Sequence, residues 1–484
     1  MAATLQFQWR DSLVCRRVSR WLVWAMVSLI TGVAGAQNNT VPWVMMDGKR
    51  VHPTSILVKY GTRTTAATAG TVATAANLRV TREFRGLSRW AVLDLHPQAA
   101  RPAAGQEAQA LRDRITQLRQ SGQFEYVEPD YVRKLSLTPA DTFFLDGTLW
   151  GLRNFGQNGG TRGADLNVTN AWDITVGSTN VIVAVIDSGI RYTHGDLAAQ
   201  MWRNPGEIAG DGIDNDGDGI VDDVFGFNAL TGTGDPFDDN GHGTHVAGTI
   251  GAKGQLATGE GIAGINWTAK VMGFKFLNSG GSGDTSDAVY AFNKIAELKN
   301  AGTNFRVTNN SWGGGGFSQT LKDAMAAVEA LGIVNVCAAG NSSVNADFTP
   351  MYPGAYDNRG IISVLASDSG DLGASFTNYG LASVDIAAPG VSTLSTSPTG
   401  TCSLCGTPVA PDLGAYKFLN GTSMASPHVA GAVAAMIQRN MNLNGGTSNL
   451  SAAQVRDMLL DPASYDVMTD PKAKSTSKIG RAHV

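Results

Sequence analysis

The sequence predicts an α/β architecture: a doubly wound parallel sheet with helices on both faces, preceded by a small α+β unit. Three observations carry this reading. The runs Val181–Ile186, Lys270–Phe276, Arg306–Asn309, Ile333–Ala338 and Gly360–Ala366 read as buried parallel strands. The stretches Gly243–Gly251, Thr285–Asn300 and Ser318–Leu331 have helical patterning and lie between those runs. Glycine supplies 58 of 484 residues, about 12% against a usual value of roughly 7%, while charged residues supply only 16%. Such a chain is rich in tight turns and close backbone approaches, and is neither coiled coil nor collagen-like. Alternating strands and helices imply right-handed crossovers, with ligands bound beyond the carboxyl ends of the strands.

The elements ahead of this sheet fall into two segments. In residues 1–36, Arg16, Arg17 and Arg20 precede an apolar run, Trp21–Ile30, and Ala34-Gly35-Ala36 follows. This is the pattern of a secretory signal cleaved before Gln37. A membrane anchor is the competing reading, but the run falls short of the roughly 20 apolar residues a spanning helix needs. Residues 37–140 hold strands at Ser55–Tyr60, Arg89–Leu95 and Phe124–Val132. A helix at Gln106–Gln120 carries Leu111, Ile115 and Leu118 on one face, and a second helix near Ala66–Ala76 is weakly marked. Strand–helix–strand–strand–helix–strand, a ferredoxin-like order, completes this unit. Residues 134–148, with Pro139, read as a linker, and the main domain occupies 141–484.

The net charge of −4 conceals an asymmetry: +3 in residues 1–36, +6 in 37–140 and −13 in 141–484. An acidic main body excludes nucleic acid as the expected partner. A basic unit ahead of an acidic one predicts two parts of one chain that attract each other. No later stretch is apolar for long enough to span a membrane.

Four segments carry residues suited to chemistry. Asp187 ends a buried strand, where it could cap the strand or orient an imidazole. His242 stands between Gly241 and Gly243 at the entry to a helix and could move a proton near neutral pH. Ser423 lies where a Gly-rich turn enters a helix running to about Arg439. There it could be an N-cap, or a nucleophile beside free amide groups. Asn341, after a strand and Gly340, could be a turn residue or an oxyanion donor. His245 and His428 read as packing residues.

With Asp187-Ser-Gly, His242-Gly-Thr-His-Val-Ala-Gly-Thr, Asn310-Ser-Trp-Gly-Gly, Ala338-Ala-Gly-Asn341 and Gly421-Thr-Ser423-Met-Ala-Ser-Pro-His in place, the chain from about Trp150 onward resembles the subtilisin-like serine peptidases, the subtilase family. The resemblance implies a triad of Asp187, His242 and Ser423, with Asn341 as oxyanion donor. It implies that polypeptide substrates pair with the strand at Ser311, Trp312 and Gly313. It sets Met351 at the floor of the pocket for the residue preceding the cleaved bond, so an apolar residue is expected there. It makes residues 37–140 a propeptide that assists folding and then inhibits, most clearly through Phe124-Glu-Tyr-Val-Glu-Pro-Asp-Tyr131. Maturation is expected in the Lys134–Phe144 linker, which holds Leu135 and Leu137. The product is a secreted endopeptidase that needs no cofactor for catalysis and has no membrane partner after signal removal.

Between Asp187 and His242 lies an acidic insertion. Asp214, Asp216 and Asp218, then Gly219, match the first half of an EF-hand loop, and Ile220 could add its carbonyl. Phe225 occupies the place of the closing Glu, so Asp222 or Asp223 must complete the shell. A structural Ca²⁺ is expected there. Asp196 aligns with a calcium ligand of many subtilases, but the partner loop Lys253–Glu260 departs from the family pattern. In the oxidising compartment that a signal implies, Cys402 and Cys405 are expected to form a local disulfide and Cys337 to be a buried thiol.

Overall fold

Along Val181–Ile186 alternate side chains enter two different cores. Val181, Val183 and Val185 join one, while Ile182, Ala184 and Ile186 join the other. A strand buried on both faces needs helices on both faces. The computed structural model describes residues 43–132 and 138–461, except positions 48, 85, 87, 88, 104, 255–260, 315 and 411–413, together with 465–467 and 480–482. The expected signal segment and Leu135 and Leu137 lie outside these residues. The chain divides into two compact units, Met1–Leu135 and Ser136–Val484.

The first unit contains β1 (Val44–Met46), β2 (Lys49–Tyr60), α1 (Ala66–Ala75), β3 (Leu78–Glu83), β4 (Trp90–Leu95), α2 (Glu107–Gln120) and β5 (Phe124–Tyr131). Its sheet runs β5-β2-β4-β3, antiparallel throughout, with β1 as an added hairpin on β2. This is the expected ferredoxin-like order. Leu111, Ile115 and Leu118 of α2 are buried against Ile56, Val58 and Leu93 of the sheet. Helix α1 buries only Ala69 and Ala73, and the Thr65 side chain caps it. Small buried residues explain its weak sequence signal.

The second unit begins with the short helices α3 (Thr142–Leu145) and α4 (Val168–Trp172). It continues with β6 (Ile182–Asp187), β7 (Gly226–Asn228), α5 (His242–Gly251), β8 (Lys270–Lys275), α6 (Thr285–Asn300), β9 (Phe305–Asn310), α7 (Gln319–Ala330), β10 (Val334–Ala338) and β11 (Ile361–Ser367). Then come β12 (Ile386–Pro389), β13 (Thr393–Ser397), β14 (Thr407–Ala410), β15 (Gly414–Leu419), α8 (Thr422–Leu443), α9 (Ala452–Leu459), β16 (Tyr465–Val467) and β17 (Gly480–Ala482). The main sheet, of nine described strands, runs β16-β17-β12-β11-β10-β9-β6-β8-β7, parallel except for the β16–β17 pair. Residues of α5, α8 and α9 pack into one face, and those of α6 and α7 into the other.

Sequence patterning missed β12 and the small antiparallel sheet β13-β15-β14. Strand β13 is Thr-Leu-Ser-Thr-Ser, buried throughout. Its hydroxyls hold backbone carbonyls, with Ser395 Oγ donating to His245 O and Thr396 Oγ1 to Thr244 O, both at 2.7 Å. A strand whose buried hydroxyls bond to a neighbouring helix shows no apolar period to read. Among the described residues no helix is long and apolar enough to cross a membrane.

Candidate active site

Helix α5 reaches the end of β6 because Gly243 has no side chain. A Cβ at that position would collide with the carbonyl of Gly189 and come within 3.1 Å of Asp187 Cβ. The approach brings His242, at the start of α5, onto Asp187, at the end of β6. Nδ1 of His242 lies 2.8 and 3.0 Å from the two carboxylate oxygens. A carboxylate can only accept, so Nδ1 carries the proton and Nε2 is the basic nitrogen. Asp187 is fully buried and also accepts the Ser188 amide at 2.7 Å. Burial of His242 works against its charged form, but the Asp187 charge and hydrogen bond, with Asp238 adding, outweigh it and raise the pKa.

Asp238 braces this pair. Its buried carboxylate accepts Ser188 Oγ, the amides of Asn240, Gly241 and Thr244, and Thr244 Oγ1, at 2.5–3.0 Å. Ser188 Oγ in turn accepts the Gly243 amide at 2.9 Å. Buried Lys275, in register with Asp187, donates to Ser188 O, Leu277 O and Asp239 Oδ1. Nothing in the sequence patterning had singled out Asp238 or Lys275. Lys275 is a lone charge between Phe274 and Phe276, which was an available signal, whereas Asp238 sits beside Asp235, Asp239 and Asn240 with nothing to set it apart.

Ser423 stands on the first turn of α8, after Gly421. Its hydroxyl donates to the Ser311 carbonyl at 2.9 Å. The Ser311 hydroxyl donates to Ser423 O and is 2.8 Å from Ser426 Oγ. Ser311 therefore turns its side chain into the protein and clasps the serine turn. Asn341 is exposed, and its Oδ1 accepts Thr422 N at 2.8 Å and Thr422 Oγ1 at 3.0 Å. These bonds fix which end of the amide is which, and Nδ2 makes no hydrogen bond among the described residues. Gly313 and Met351 are neighbours: a Cβ on Gly313 would lie 2.9 Å from Met351 Cε. The Trp312 ring stands edge-on to Phe276, 4.7 Å between centroids.

His245 and His428 are buried, with ring nitrogens against backbone carbonyls. Burial lowers their pKa values to about 3 and about 4. Cys402 and Cys405 are disulfide-bonded, and Cys337 is a buried thiol whose pKa burial pushes well up.

The acidic insertion differs from the expected ligand set. Asp214, Asp216 and Asp218 do converge, with one oxygen from each within 4.8 Å of the others. Buried Lys294 pairs with Asp218, which places a cation beside that triplet. A second triplet, Glu207, Asp216 and Asp223, converges equally closely. Glu207 was not expected; it stands outside the Asp/Gly repeat that drew attention. Asp223 is fully buried, Asn204 donates to its Oδ1 at 2.6 Å, and its Oδ2 has no hydrogen-bond partner among the described residues. Burial pushes its pKa up to about 7. Asp222 does not join either triplet: its carboxylate accepts the amides of Gly210 and Gly212 at 2.7 and 3.1 Å. Ile220 buries its side chain in the core. Asp196 is also buried, accepting Tyr416 Oη and Ile262 N, while its Oδ1 has no hydrogen-bond partner among the described residues. Most of the loop expected opposite it lies outside the described residues.

The acid–imidazole pair lies at the carboxyl end of β6, and Ser423, on the helix amino terminus of α8, bonds to the carbonyl that follows β9, the strand beside β6 in the sheet. The chain belongs to the subtilase family, the subtilisin-like serine peptidases, whose profile matches residues 178–480. A thermophilic serine proteinase from Bacillus sp. strain AK1 is 35% identical over 322 residues, 66% of this chain and 64% of that protein. The chain thus spans just under two thirds of that relative's length. Subtilisin DY from Bacillus licheniformis is 37% identical over 285 residues, 59% of this chain and 84% of that protein. A solved structure of proteases from Pseudoalteromonas arctica matches with TM-score 0.54 at 28% identity, covering 71% of this chain and 97% of that chain.

Proposed function

We propose that the chain is a secreted serine endopeptidase, made as a zymogen, in which Asp187, His242 and Ser423 form the triad. The Asp187–His242 contact carries this reading, because it fixes the tautomer that leaves Nε2 basic. Ser423 Oγ releases the Ser311 carbonyl, gives its proton to His242 Nε2 and attacks the scissile carbonyl. Asp187 stabilises the imidazolium that forms. The developing oxyanion takes hydrogen bonds from Asn341 Nδ2 and the Ser423 amide. His242 then protonates the leaving amine, and water repeats the sequence on the acyl-enzyme. The substrate is an extended polypeptide lying along Ser311-Trp312-Gly313, with an apolar side chain before the cleaved bond resting against Met351.

A fluorophosphonate probe on the secreted protein tests this. Labelling lost in Ser423→Ala supports the triad, and an unlabelled wild-type protein refutes it. Peptides with Leu, Phe, Lys or Glu before the cleaved bond test the pocket; a clear preference for Lys overturns the Met351 assignment.

Residues 37–140 act as the propeptide, held to the acidic catalytic unit partly by the +6 and −13 charges. Mass spectrometry of wild-type and Ser423→Ala secreted forms locates the cleavage site. Retention of the propeptide in the mutant alone identifies self-processing.

The acidic insertion fits a hard divalent cation, Ca²⁺, through the unpartnered buried oxygen of Asp223 beside Glu207 and Asp216. Asp216 belongs to both triplets, and Asp214 and Asp218 complete the other one. Lys294 already neutralises part of the Asp214, Asp216 and Asp218 triplet, which favours Glu207, Asp216 and Asp223 as the principal seat. The ion's role is to tie together chain segments that otherwise repel. Chelation is expected to lower the thermal midpoint without altering the active-site residues.

A further inference from the structure

We propose that Asn378 positions Asn341 for its work on the oxyanion. The inference rests on the reading of Asn341 as the oxyanion donor. Asn378 is 1% exposed and does not bond to Asn341 itself; it holds the backbone on both sides of it. Its Nδ2 donates to Ala339 O at 2.9 Å, and its own amide donates to Gly340 O at 2.8 Å. On the far side its Oδ1 accepts the amides of Ser342 at 2.9 Å and Val344 at 3.3 Å. One side chain thus satisfies polar groups at 339, 342 and 344, and its backbone takes 340. Asn341 is the residue left to project from that brace.

Gly340 makes the arrangement tight. It has φ +106°, and the space a Cβ would need is taken by Met351 Sδ and Asn378 Nδ2. Nδ2 also lies 3.7 Å from that sulfur. The same amide therefore touches the proposed pocket floor and the turn that aims the proposed donor. A donor contributes only if it meets the oxygen at about 2.7–3.1 Å, and a misplacement of about 1 Å can cost roughly 10²-fold.

The test is a double-mutant cycle on Asn378→Ala and Asn341→Ala, each protein freed of residues 1–140 by added protease so that slow maturation does not mimic slow catalysis. Asn378→Ala is expected to lower kcat about 10- to 100-fold with KM nearly unchanged, less than the roughly 10²–10³ of Asn341→Ala. In the Asn341→Ala background the same change should cost less than about twofold, because residues acting as one unit are not additive. A peptide boronate, whose adduct places an oxygen at the oxyanion position, should weaken in step with kcat/KM. Asn378→Ser, which keeps a hydroxyl at the brace, should fall between wild type and alanine, and serves if the alanine variant folds poorly. Equal losses in both backgrounds, or a loss confined to KM, overturn the positioning role. An Asn341→Ala enzyme with undiminished kcat instead overturns the donor reading beneath it.

Discussion

Asp187, the last residue of β6, and Asp223, in the segment between β6 and β7, are both fully buried aspartates, and their surroundings give them different work. Asp187 has both oxygens engaged by protein donors, the His242 ring and the Ser188 amide. Asp223 has one oxygen held by Asn204 and one with no partner, beside two further carboxylates. Asp238 is a third case, engaged by five donors and facing no imidazole nitrogen within hydrogen-bond reach. Burying a carboxylate costs several kcal/mol unless it is paired, so each must be offset. An imidazole offsets the first, and amide and hydroxyl donors offset the last. For Asp223 the missing partner is what points to a cation. Burial alone therefore assigns no role; the donor set does.

The largest effect should come from the triad end. Asp187→Asn is expected to lower kcat about 10⁴-fold, by releasing the tautomer of His242, while calcium-dependent stability is retained. The pH profile sharpens the point. Catalysis needs neutral His242, so kcat/KM rises with pH through that group's pKa. Asp187 holds this pKa above the ordinary value, so the wild-type midpoint should lie above about 6.5. In Asp187→Asn the opposing effect of burial remains, and the midpoint should move down. A midpoint that stays in place would separate Asp187 from the imidazole's charge.

Asp238→Asn should act on stability rather than on the chemical step. With the amide oxygen kept at the Oδ1 position, the Thr244 amide and hydroxyl would face a donor instead of an acceptor, at a cost of about 2–4 kcal/mol by thermal denaturation. Asp223→Asn should instead abolish most of the difference in thermal midpoint between calcium-loaded and chelated protein. The kcat of the folded variant should stay close to wild type. A chelator shift of wild-type size in that variant would remove Asp223 from the cation's shell.

The fold was largely legible because its strands are apolar and its helices amphipathic, so Val181–Ile186 and Thr285–Asn300 declare themselves. Strand β13 did not, because it is polar and its hydroxyls bond to carbonyls of other segments that sequence does not place beside it. The segments around His242 and Ser423 were legible as family motifs, because Gly243 and Gly421 set each residue apart at a helix start. Asp238, Lys275 and Asn378 were not, since their value lies in bonds to backbone atoms that sequence does not place. The insertion was legible as a cluster of converging carboxylates, but Glu207 joins it from outside the repeat, and the Asp222 carboxylate turns to the amides of Gly210 and Gly212.

The smallest effect belongs to Asp222, next in the chain to Asp223. It occupies a left-handed conformation, φ +54°, which turns its carboxylate onto the Gly210–Gly212 turn while its neighbour points inward. Asp222→Ala removes two hydrogen bonds to amides that water can reach, so about 1 kcal/mol of stability is expected to be lost. The same loss should appear with calcium and with chelator, leaving the difference between the two conditions intact. If that difference shrinks as far as in Asp223→Asn, Asp222 belongs to the ion's shell after all. The loop would then close as the EF-hand spacing suggests, with Glu207 outside it.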